Sequence, residues 1–63
     1  MLDDIRTYAR LQLEISPGMT REQFIAAVRS YAVEKHGDKQ DNKMFAERTA
    51  RYLWAQRPNQ VSG

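Results

Sequence analysis

One histidine, four aspartates and four glutamates are the side chains of this sequence that could move protons or hold a metal. Their spacing decides what chemistry they could do. His36 stands between Lys35 and Gly37. A general base needs a group to orient it and a nucleophile within reach. Ser16 and Ser30 have no base organised beside them in any readable pattern. A transition metal would need a second imidazole or a thiolate, and there is no cysteine and no second histidine. The run "GDKQDNK" offers Asp38, Asp41 and Asn42 as oxygen ligands. It lacks the alternating ligand positions and the closing bidentate glutamate of a calcium loop. The three glycines are scattered, so no phosphate-cradling loop is present. The sequence therefore predicts a non-enzymatic protein with no catalytic residue, no metal and no cofactor. At the end of a helix, His36 is expected to complement the helix dipole.

The chain has 63 residues, enough for one domain. A domain this small buries only about 60% of its unfolded surface, so its core is thin. Without cysteine it has no disulfide to compensate, and association with another chain is the remaining inexpensive source of stability. Ten basic against eight acidic side chains give a net charge of +2, too small an imbalance to indicate nucleic acid by itself. No apolar run reaches the length of a membrane span. The start, "MLDDIRTY", has acids where a signal peptide needs basic and apolar residues. A protein acting in the cytoplasm, with no membrane partner and no small-molecule substrate, is expected.

The elements that must position any functional side chain are helical, since no sustained alternation marks a strand. The spacing predicts three helices, over about 3–15, 21–36 and 42–56. The first has Asp3 and Asp4 at its start and ends at Ser16-Pro17-Gly18. Its apolar residues, from Leu2 and Ile5 to Leu13 and Ile15, cover roughly 200° of the circumference. That is more than one packing partner needs. The second opens on a capping box, Thr20 with Gln23, with Met19 placed to staple against Phe24 or Ile25. Phe24, Ile25, Val28, Tyr31 and Ala32 form one stripe about 120° wide. Gly37 is the expected stop. The third is expected to be capped by Asp41 or Asn42, and Pro58 limits its extension. Short linkers favour antiparallel neighbours. The fold class is therefore all-α: a helical hairpin with a third helix packed on it, in a homodimeric bundle. Residues 1–57 form the domain and 58–63 a disordered polar tail.

The third helix can be read two ways. As a DNA-recognition helix, Arg48 and Arg51 would read guanine edges, with Lys39, Asn42 and Lys43 on phosphates. Against this, recognition helices contact bases mainly through their N-terminal residues. Here that end carries Asp38, Asp41 and Glu47, and Glu47 can pair with Arg51. As a packing helix, Phe45, Ala46, Thr49, Ala50 and Leu53 turn inward. Arg48, Arg51, Trp54 and Arg57, joined by Tyr8 from the first helix, are then the candidate surface for a protein partner, being of the types enriched at interface hot spots. Leu11 and Leu13 lie on nearly opposite sides of the first helix, so one groove cannot easily take both. A symmetric dimer can, and its expected interface is Ile5, Leu11, Leu13, Phe45, Ala46, Ala50 and Leu53.

From "MLDDIRTYARLQLEISPGMTREQF" through "MFAERTARYLWAQRPNQVSG", the chain resembles the small early proteins encoded in the exonuclease–excisionase region of lambdoid bacteriophages. The resemblance covers the whole chain and rests on no short chemical motif. It implies a phage early protein, active in the host cytoplasm. Such a protein would bind a host regulatory or nucleoid-associated protein and favour lytic development over lysogeny. It assigns no site residues. The alternative reading is a small helix-turn-helix-like regulator that binds DNA through the third helix.

Overall fold

The computed structural model describes residues 2–57. The polar tail expected over 58–63 lies outside the described residues. Three helices follow one another: α1 (Asp3–Ile15), α2 (Arg21–His36) and α3 (Gln40–Gln56), with no strand among the described residues. Each packs on both others, and α2 against α3 is the most extensive pair.

The helix boundaries follow local chemistry. Thr20 Oγ1 accepts from the Gln23 backbone N–H at 3.1 Å, and Gln23 Oε1 accepts from the Thr20 N–H at 3.0 Å, so the capping box is complete. Met19, just before it, packs against the core. Gly37 ends α2 at φ 114°, a backbone conformation that favours glycine. The start of α3 departs from expectation. The helix begins at Gln40, its N-cap is Lys39, and no side chain caps it. Asn42 is used differently. Its Nδ2 donates to the carbonyls of His36 at 3.2 Å and Gly37 at 3.0 Å, satisfying acceptors at the end of α2. Asn42 therefore ties the α2–α3 corner instead of capping its own helix.

The core is a single cluster of Ile5, Ala9, Phe24, Ile25, Val28, Ala32, Ala46, Ala50 and Leu53. The alanines, one or two from each helix, let the three backbones approach closely. Phe24 is fully buried and meets Trp54 with ring centroids 5.6 Å apart. This placement corrects part of the expected dimer interface. Ile5, Ala46 and Ala50 are fully buried within one chain, and Leu53 nearly so, because the third helix closes over the hairpin from the same side. Ile5, Ala46 and Ala50 therefore have no surface left to offer a second copy. Leu13 and Phe45 are half-buried against the core, and Leu11 is exposed.

Candidate functional site

At 100° per residue, α1 presents three faces. Its core face carries Ile5, Ala9 and Leu13. The flank toward α2 carries Asp4, Tyr8, Leu11 and Ile15. The flank toward α3 carries Arg6 and Arg10. The two flanks hold different chemistry.

On the α2 flank the antiparallel hairpin brings the first turn of α1 against the last turn of α2. His36 Nε2 lies 2.9 and 3.0 Å from the two carboxylate oxygens of Asp4. Tyr31 donates its hydroxyl to Asp4 Oδ2 at 3.0 Å. Tyr8 stacks on Tyr31 with centroids 4.2 Å apart and planes 12° from parallel, and Lys35 Nζ stands 6.0 Å from the Tyr31 ring. Partial desolvation pushes the Asp4 carboxyl up. The hydrogen bonds from His36 and Tyr31, with the His36 charge, outweigh it and hold Asp4 below its usual 3.8. Desolvation and the Asp4 carboxylate push the Tyr31 hydroxyl above its usual 10.0. Because both carboxylate oxygens of Asp4 are occupied, the cluster acts as a clamp between helices.

The clamp has a definite pH signature. A carboxyl whose folded value is depressed stabilises the fold above its unfolded value, and that contribution is lost as pH falls through the folded value. Asp4 therefore contributes at neutral pH, and its contribution fades below about pH 4. Thermal melts of wild type and Asp4→Ala are expected to differ at pH 7 and to converge below pH 3.8. A difference that persists unchanged in strong acid would remove the clamp's ionic character. Tyr31 gives the opposite limb, since its raised value makes its contribution full below pH 10 and lost above.

On the α3 flank two hollows open. The larger, about 720 Å³, runs between the ends of α1 and α3 and is closed by Ser16 and Pro17. Leu13, Leu53 and Trp54 line it, with Arg10, Glu14 and Arg57 at its edge. The smaller, about 480 Å³, is lined by Phe45, Thr49 and Leu53 under Arg6, Arg10 and Arg48. The two share Arg10, Tyr52 and Leu53, so they form one groove, and Tyr52, 63% exposed, stands on the seam. Arg57 lies over the Trp54 ring, 4.1 Å from its centroid, and donates to the Trp54 carbonyl at 2.6 Å.

The ion pairs explain why the rim is positive. Glu47, expected to pair with Arg51 along α3, reaches instead across to Arg29 of α2 at 2.9 Å. Asp38 pairs with Lys43 at 3.1 Å and Asp4 with His36. Among the described residues, Arg6, Arg10, Arg48 and Arg51 make no ion pair.

Of the residues expected to meet a partner, Arg48, Trp54 and Arg57 line the groove. Arg51 is exposed but lines neither hollow, and Tyr8 belongs to the clamp on the opposite flank. Arg6 and Arg10 were not among the expected contacts. Their spacing of four on one helix face is the signal that marks them. The Asp4–His36 pair joins positions 32 apart, and only the antiparallel hairpin predicts their meeting. No group of three His, Cys, Asp or Glu among the described residues is placed to hold a metal ion. No helix among the described residues is long and apolar enough to cross a membrane. Compared with known proteins, the chain matches no family model, no curated sequence and no solved structure.

Proposed function

We propose that this chain is a bacteriophage early protein that works by binding and not by catalysis. Its partner is a host regulatory or nucleoid-associated protein in the host cytoplasm, and the consequence is lytic development. The observation that carries the binding reading is the α1–α3 groove, open, aromatic and edged by Arg6, Arg10 and Arg48, which make no ion pair among the described residues. Tyrosine, tryptophan and arginine together are the side chains that dominate binding energy at protein interfaces. The resemblance to lambdoid early proteins supplies the host target and the lytic direction. The chain acts as a homodimer in this reading. Leu11 and Ile15, one turn apart on α1, are 50% and 61% exposed and offer a self-complementary apolar strip.

Affinity capture from bacterial lysate, with and without nuclease, tests the reading. One host protein retained in stoichiometric amount after nuclease treatment is the expected result. Loss of every bound protein on nuclease treatment would overturn it in favour of a DNA-binding regulator using α3.

A further inference from the structure

The groove between α1 and α3 is not uniform along its length. Toward Arg6 it is basic: Arg6, Arg10 and Arg48 line it together with Phe45 and Thr49, and no acid lines that hollow. Toward Pro17 it is more apolar, with Leu13, Leu53 and Trp54 in its lining, and it also carries Arg10, Arg57 and the single carboxylate of Glu14. Its volume there is in the range that accepts several side chains.

We propose that this groove takes an amphipathic helix from an acidic protein segment. The helix places one turn of carboxylates against Arg6, Arg10 and Arg48 and the next turn of apolar side chains on Leu13, Leu53 and Trp54. This deepens the interaction reading above and rests on it. Three features select that occupant. Arginine pairs with carboxylates through two parallel hydrogen bonds, and here three arginines line one hollow, none in an ion pair among the described residues. The apolar hollow adjoins the basic one, which suits the spacing of side chains three, four and seven apart on a docked helix. A nucleic acid would instead require a continuous basic track, and its phosphates would meet Glu14 in the larger hollow.

The test uses the full chain, isotope-labelled, titrated with a synthetic helical peptide bearing one glutamate-rich turn followed by one leucine- and phenylalanine-rich turn. A version with lysine for glutamate and an oligodeoxythymidine serve as competing probes. The acidic peptide is expected to bind saturably and to shift the Trp54 indole and the Arg10 and Arg48 side-chain resonances. Arg10→Glu is expected to weaken it about tenfold or more. No binding by the acidic peptide, equal binding by the lysine version, or shifts confined to the α2 flank would overturn the proposal. Tighter binding of the oligonucleotide at the same resonances would overturn it too and assign the groove to nucleic acid. Failure here is separable from failure of the broader reading. A host protein captured equally by wild type and Arg10→Glu, with no peptide bound, removes the groove proposal alone. Peptide bound in the groove, with no host protein captured, removes the host-target reading alone.

Discussion

Phe24→Ala is expected to leave the chain largely unfolded at 25 °C. Phe24 has no exposed surface, belongs to the one cluster of buried residues among the described residues, and supplies the ring on which Trp54 packs. Truncating a buried phenylalanine to alanine costs about 3–5 kcal/mol through lost burial and the cavity left behind. A single core in a domain of this size rarely supplies more than about 3–5 kcal/mol in total. The two quantities are equal, so the variant has nothing left. Far-UV circular dichroism should show most of the helix signal gone at low protein concentration. Tyr52→Ala is the matched control. It also removes an aromatic ring of α3, but one that is 63% exposed, so stability should move by no more than about 0.5 kcal/mol. A helical, cooperatively melting Phe24→Ala protein would mean that the core is held mainly by other contacts.

Leu11→Lys with Ile15→Lys is expected to abolish the proposed homodimer while leaving the monomer fold intact. Both side chains already stand at least half in solvent, so the folded monomer loses little by the exchange. In a two-fold interface each change counts twice. Burying the remaining half of a leucine or isoleucine is worth about 1 kcal/mol. Four such losses raise the dimer dissociation constant about a thousandfold, before any repulsion between the new charges. Sedimentation equilibrium over a concentration range reads this directly. A wild-type chain that is monomeric throughout, or a variant that remains dimeric, would sink the assignment of this strip. Changes at Ala46 or Ala50 would not test the same thing. Those side chains are sealed inside one chain, and enlarging either would strain the monomer first.

The ends of α1 and α2 were legible because they were announced locally, whereas the start of α3 carries no side-chain cap. A capping box opened α2, a glycine closed it, and Ser16-Pro17-Gly18 closed α1. The stripe of Phe24, Ile25, Val28 and Ala32 was legible for the same reason, since one helix period contains it. What escaped were choices made between helices. Asn42 could cap α3 or satisfy the carbonyls ending α2, and only the corner geometry selects the second. Glu47 had a partner four residues away in Arg51, yet reaches Arg29 across the α2–α3 contact. That exchange matters for the groove, because it engages the Glu47 carboxylate with Arg29 of α2 and leaves Arg48, about 100° further round α3, without it. The width of the apolar arc on α1 was visible, but not how it is divided. Ile5 and Ala9 go to the core, Tyr8 to a tyrosine stack, and Leu11 and Ile15 to the surface.

Trp54 is the single indole of the chain. One edge of it packs on Phe24, Arg57 covers its ring, and it lines the larger hollow. Its fluorescence is therefore sensitive to two separate events, dissolution of the core and occupation of the groove. A melting curve followed only by that emission would merge them. Without any added peptide, the helix signal in circular dichroism follows dissolution of the fold and not the surroundings of the indole. Agreement between the two probes marks a cooperative transition, and a gap between them measures how far the surface around Trp54 rearranges before the core gives way.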